Sequence, residues 1–377
     1  MGAVGEEFLM NPKSIARRIR AIRRRMNKKK IRFLLVTKPA NVTYVTDFLG
    51  EDSWAALSKR QVYLLTDSRY TEQAQKECPS CKIIDRAGPM ADAVSKLVRR
   101  GGSRTAPTSV RSVAVEDSVS VADYEQLKKT VKARFKTAAG IIEAVRSIKD
   151  DSEIAAIKSA AAISAKALAQ TLPHIKPGVT ESELAGMLDF QIRKLGACNS
   201  FETIVAFGPN GSRPHHQPGK RKLKNKDAVL IDFGAKYKGY CSDITRCFVC
   251  GGVTKFYKKV YDVVEQAQAA AIKAIKPGVK LTQVDAAARE VIDKADLPVY
   301  GHGTGHGFGL EIHENPFLKT DAKGKLEAGQ VITVEPGIYI PGKLGIRIED
   351  DILVTETGHK ILTNKCPHSP FLANSKT

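Results

Sequence analysis

The chain has 377 residues, 42% hydrophobic and 27% charged, with a formal net charge of +20. That composition is ordinary for a globular protein, and its length suggests two domains. No apolar run approaches the roughly 20 residues of a membrane-spanning helix, so no membrane partner is expected.

The first ten residues lack a basic region followed by an apolar core, so they do not read as a secretory signal. Glu6 stands where a myristoylation motif requires Ser or Thr. The expected compartment is the cytoplasm, and Met10 is an alternative start. Eleven Lys or Arg and no acid fall within residues 13–32. Within this run, Ile15, Ile19, Ile22 and Met26 recur at helical spacing. The spacing predicts a docked amphipathic helix with a solvated basic face. No specific nucleic-acid partner is expected, only weak adhesion to polyanions at low salt. Strand-like runs follow at residues 32–36, 62–65 and 112–115, which predicts a compact α/β domain over residues 11–148. Residues 146–152 are charged and aperiodic, and a helix capped by Asp151 or Ser152 opens a second domain over residues 149–377. Cys78/Cys81 and Cys247/Cys250 are too far apart for a zinc ribbon and read as buried or incidental thiols.

The second domain repeats itself. Ile175-Lys176-Pro177-Gly178-Val179 recurs as Ile275-Lys276-Pro277-Gly278-Val279, each after an Ala-rich helix. Thr180 with Glu183, and Thr282 with Asp285, resemble capping boxes. Further on, Asp232-Phe233-Gly234 and Glu335-Pro336-Gly337 each end an apolar strand, and Asp243 and Glu349 follow. The pattern predicts a duplicated helix–helix–hairpin unit about a pseudo-twofold axis, each half giving two carboxylates to one centre. A hairpin pivoting at Tyr237 and Lys238 would set Asp232 directly opposite Asp243. Between the halves, the Gly-rich residues 301–309 offer His306 as an imidazole ligand and His302 beside it. These glycines do not fit a dinucleotide fingerprint and suit close backbone approach instead. His215, His216 and His313 lie in neighbouring polar segments.

Asp232, Asp243, His306, Glu335 and Glu349 are too acidic a set to bury together unless cations neutralise them. Two divalent ions are the expected cofactors. An oxygen-rich set with one imidazole suits manganese, cobalt, iron or zinc. Two such ions would activate water and polarise a carbonyl, which fits amide or ester hydrolysis.

Ile231-Asp232-Phe233-Gly234, Ser242-Asp243-Ile244-Thr245-Arg246, His302-Gly303-Thr304-Gly305-His306, Val334-Glu335-Pro336-Gly337 and Arg347-Ile348-Glu349 together resemble the motifs of the proline-specific pita-bread metallopeptidases. Xaa-Pro aminopeptidase (aminopeptidase P) is the nearest member, with Xaa-Pro dipeptidase (prolidase) beside it. Residues 66–72 resemble the creatinase/prolidase N-terminal domain more loosely. The resemblance implies an α+β fold, in which a duplicated pita-bread catalytic domain follows a smaller α/β domain. It implies that Asp243 and Glu349 bridge two ions, manganese foremost, that Asp232 binds one ion, and that His306 and Glu335 bind the other. A hydroxide bridging the ions would attack the Xaa-Pro bond at the N-terminus of small peptides with proline second. Glu335 would carry the proton to the leaving nitrogen. His215 and His313 would contact the scissile region and the oxyanion, His302 would line the specificity pocket, and Arg347 would pair with a site carboxylate or the substrate. His216 departs from the family pattern and bears on the proline pocket. A homodimer or homotetramer is implied. Methionine aminopeptidase lacks the extra N-terminal domain, and creatinase lacks the metal set. A scaffold pseudoenzyme should have lost ligands, and all five are present.

Overall fold

The computed structural model describes residues 12–99 and 110–368; the expectations on the first ten residues lie outside them. The chain divides into two units between Arg146 and Ser147.

In the first unit, the basic segment folds as the helix Pro12–Lys28. Its apolar stripe decides how it docks: Ile19, Ile22 and Met26 are buried, while Arg20, Arg24 and Lys28 remain exposed. Arg18 falls on the buried side, where its guanidinium lies 4.7 Å from the centre of the Tyr44 ring. Six strands form one mixed sheet, in the order Lys82–Asp85, Val62–Thr66, Trp54–Ser58, Phe33–Val36, Ser112–Glu116, Arg134–Ala138. Every residue of Phe33–Val36 and of Val62–Thr66 is buried, the mark of strands covered on both faces.

The second unit holds the expected duplication. In the first half, the helices Asp151–Thr171 and Glu181–Lys194 precede a sheet ordered Ile244–Val249, Ala228–Phe233, Ile204–Phe207. In the second half, Lys255–Ala274 and Leu281–Lys294 precede the corresponding order Asp350–Val354, Val331–Val334, Gly305–Gly307. Glu314–Leu318 and His359–Ile361 extend that sheet at its two edges. Each half thus has a third strand that the helix–helix–hairpin pattern omits. Short hairpins cap the central pairs, Ala235–Tyr237 with Tyr240–Cys241 and Gly337–Ile340 with Leu344–Arg347.

Three local expectations need correction. The first helix is capped one residue earlier than expected, by Asp150, whose Oδ1 accepts from the N–H groups of Ser152 and Glu153. The Thr180/Glu183 box forms, but its counterpart is built on Lys280, whose N–H donates to Gln283 Oε1 at 3.1 Å. Asp285 instead points inward and accepts from Thr304 Oγ1 at 2.7 Å. The first hairpin pivots one residue later than expected. Lys238 (φ 49°) and Gly239 (φ 80°) are both left-handed, as a type I′ turn requires. Asp232 therefore faces Thr245 rather than Asp243.

No helix among the described residues is long and apolar enough to cross a membrane.

Candidate active site

A cavity of about 530 Å³ in the second unit is lined by all five predicted ligands, together with His215, His216, His302, His313 and Arg347. Strand ends and turns bring the carboxylates together. Asp232 is the penultimate residue of Ala228–Phe233, and Asp243 immediately precedes Ile244–Val249. Glu335 and Glu349 lie just beyond Val334 and Asp350, the last paired residues of their ladder. Glycine makes this crowding possible: a Cβ on Gly305 would fall 2.0 Å from the Thr333 carbonyl oxygen. That close approach lays His306 against the strand that leads to Glu335.

Asp243, His306 and Glu349 each offer a ligand atom, all within 4.8 Å of one another. His306 Nε2 is 3.6 Å from Asp243 Oδ2 and 3.5 Å from Glu335 Oε1. The opposite ring nitrogen, Nδ1, lies 3.1 Å from the Gly307 carbonyl, an acceptor to which it must donate. Burial, aided by His313, pushes the His306 imidazole down to about 4, so it is neutral at pH 7. Its Nε2 then presents a lone pair to two carboxylates, an arrangement of acceptors that a cation would reconcile.

The acids show the same strain. Burial and the neighbouring carboxylates hold Asp243 and Glu349 well above the usual carboxylate range. Burial pushes Glu335 up to about 7 against the pull of Arg347, and it also raises Asp232. Asp232 Oδ1 is buried without a hydrogen-bond partner. An orphaned oxygen, an unprotonated imidazole nitrogen and four mutually repelling carboxylates fit a cluster of divalent cations. Bound cations would restore the ionised form of the acids.

Arg347 organises the floor of the site. Nη2 donates to Asp232 Oδ2 at 2.5 Å, Nε to Thr245 Oγ1 at 3.0 Å, and Nη1 to the Tyr339 hydroxyl at 2.9 Å. Thr245 in turn donates to Glu349 Oε2 at 2.6 Å. His302 Nδ1 faces the Gly303 carbonyl at 2.7 Å and Nε2 faces the Tyr339 hydroxyl at 3.0 Å. Burial lowers His302 to about 4, so it is neutral. Nδ1 donates, and Nε2 accepts the Tyr339 proton.

The other histidines divide into two kinds. His313 is exposed, with its ring centre 4.4 Å from that of His306, and His215 is exposed at the same cavity. His216 reaches the wall, but its Nε2 is tied to buried Glu181 at 2.9 Å. Beyond His216, the basic residues Lys222, Lys224 and Lys226 are exposed and do not line the cavity, and Arg221 pairs with Asp227. Sequence reasoning gave no role to Thr245, Tyr339 or Glu181. Thr245 was findable, since on an alternating strand it shares a face with Asp243, two residues away. Tyr339 and Glu181 give no such local signal.

Comparison with known proteins places this site in a family. Metallopeptidase family M24 matches residues 155–356, and the Creatinase/Prolidase N-terminal domain matches residues 18–148. The chain is 38% identical over 340 residues to the uncharacterized peptidase YqhT of Bacillus subtilis, covering 89% of this chain and 94% of that one. The structure of an Xaa-Pro dipeptidase from Bacillus anthracis is similar with a TM-score of 0.89 at 38% identity, over 95% of this chain and 99% of that chain. An X-Pro aminopeptidase from Thermotoga maritima is similar with a TM-score of 0.84 at 34% identity, over 93% and 99%. The chain belongs to metallopeptidase family M24, with a pita-bread catalytic unit preceded by a Creatinase/Prolidase N-terminal domain.

Proposed function

We propose that this metallopeptidase is an Xaa-Pro aminopeptidase, removing the N-terminal residue from small peptides with proline in second place. The observation that carries the reading is the convergence of Asp232, Asp243, His306, Glu335 and Glu349 on one cavity. Two similar solved structures bear names that specify an Xaa-Pro bond, which supports the choice of substrate.

In this reading Asp232, Asp243, His306, Glu335 and Glu349 would together hold two divalent ions. Manganese is the first candidate, with cobalt, zinc or iron behind it. When bound, the ions lower the pKa of water and polarise the scissile carbonyl. Glu335 takes the proton from the water that adds to the carbonyl carbon and delivers it to the proline nitrogen as the C–N bond breaks. That nitrogen carries no hydrogen in the peptide, so it leaves only if it is protonated. His215 and His313 donate to the carbonyl oxygen as negative charge develops there. His302 and the apolar lining residues Phe201, Ile204, Ile312 and Phe317 form the wall against which a proline ring packs. The family resemblance also implies a homodimer or homotetramer.

A dipeptidase must capture a terminal carboxylate. Among the described lining residues, the Arg347 guanidinium is spent on Asp232, Thr245 and Tyr339. Lys319, the other lining residue with a cationic side chain apart from the histidines, lies 3.3 Å from Asp321. The commitment of the buried Arg347 supports a site in which proline continues into a chain. The test compares an Xaa-Pro dipeptide with an Xaa-Pro-Yaa tripeptide on metal-loaded protein. Faster cleavage of the tripeptide is expected; hydrolysis of the dipeptide alone would make the enzyme a prolidase.

A further inference from the structure

We propose that Glu181 is a positioning residue for this active site, a carboxylate that fixes residues 207–219 so that His215 stays at the cavity. The proposal rests on the role assigned to His215 above.

Glu181 opens the helix Glu181–Lys194 and is fully buried. A buried carboxylate is costly unless donors surround it. Four do, and all four come from residues 207–219. Oε1 accepts from the Phe207 N–H at 2.8 Å and from Asn210 Nδ2 at 2.8 Å. Oε2 accepts from His216 Nε2 at 2.9 Å and from the Gly219 N–H at 3.1 Å. His216 must be the donor there, because an ionised carboxylate can only accept.

The second half shows that the fold does not require an acid at this place. Thr180 makes an isolated bridge to Lys222, and its counterpart Lys280 makes one to Lys325. The next residue is Glu181 in one half and Leu281 in the other, both buried. A leucine therefore satisfies the packing. What the carboxylate adds is directional hold on the loop. Beyond Asn210, the loop meets the other half: a Cβ on Gly345 would fall 1.8 Å from the Gly211 carbonyl oxygen. Gly345 lies two residues from Arg347. His215 is thus strung between a contact with the second half at Gly211 and the bond from its neighbour His216 to Glu181.

The experiment uses the metal-loaded full chain and an Xaa-Pro-Yaa peptide. Glu181→Leu, the residue that the second half carries, should lower kcat by ~10- to 100-fold while metal content is kept, since small misplacements of a reacting group have effects of this order. In a His215→Ala background the same change should alter kcat less than about threefold, because coupled residues are not additive. Losses that multiply, or an unchanged kcat, would overturn the proposal. Hydrogen exchange tests the clamp without reference to activity, and Glu181→Gln serves if the leucine variant does not fold. Exchange at 207–219 should quicken in the variant, and equal rates would overturn the clamp. Loss of the Xaa-Pro activity reading in the wild type would leave this second readout intact.

Discussion

The two halves of the catalytic unit are built alike and employed differently. Both give two carboxylates from equivalent places, yet the first half's Asp232 is bonded to a guanidinium and the second half's Glu335 faces an imidazole. Asp232 is held by Arg347 at 2.5 Å. Glu335 has His306 at 3.5 Å and is raised to about 7. The third strand differs too. Ile204–Phe207 is apolar, whereas Gly305–Gly307 carries His306 into the cavity. Duplication supplies a symmetric set of ligands. The proposed catalysis needs an asymmetric pair of environments, since one carboxyl would carry a proton that the others do not.

The sharpest way to break the comparison is to remove the shared acids. Asp243→Ala and Glu349→Ala should each abolish both metal binding and hydrolysis, read by metal analysis and peptide assay. If one of the two kept both ions, the halves would not be equivalent at the centre. Next in size, Glu335→Gln should lower kcat by about 10²- to 10⁴-fold. Asp232→Asn should act chiefly through metal content, and equal kcat losses at full metal occupancy would erase the distinction drawn here. His313→Ala should slow turnover by roughly 10²- to 10³-fold with metal retained; a parallel fall in metal would make it a ligand instead. Thr245→Val removes the hydroxyl between Arg347 and Glu349 while keeping its shape, and should weaken metal affinity or activity by roughly 10- to 100-fold.

The smallest effect is on stability. Without cations, the folded site retains protons on Asp243, Glu335 and Glu349 that the unfolded chain releases near pH about 4. The folded state then binds more protons than the unfolded one, so stability falls as pH rises. His302 and His306, lowered to about 4, work in the opposite sense, but only below their unfolded value of about 6.5. Above that pH the imidazoles are mostly neutral in both states, and the raised carboxyls dominate the slope. The melting temperature of chelator-treated protein should drop by a few degrees between about pH 6.5 and 8, and metal should reverse the drop. A rise in the metal-free melting temperature over that interval would contradict the raised carboxyls.

Much of this was legible along the chain because it is local. The spacing of Ile15, Ile19, Ile22 and Met26 marked the docked face of the basic helix, with Ile15 half-buried and the other three buried, and the five-residue repeat marked the duplication. The acids that line the cavity stood out because apolar strand residues lead into them. Legibility failed where one residue of register mattered. Lys238-Gly239 and Tyr237-Lys238 are both plausible pivots on paper, and only the left-handed backbone at Lys238 and Gly239 selects between them.

The sequence by itself determined the chemistry on offer: four acids and an imidazole whose burial demands compensating charge. Tertiary structure alone decided how that chemistry is divided. It assigned Arg347 to Asp232, buried Glu335 beside His306, and tied His216 to Glu181. The reason is physical: a side chain's identity is written locally, but its pKa and its partner depend on groups brought near by folding, some of them over 100 residues away in the chain.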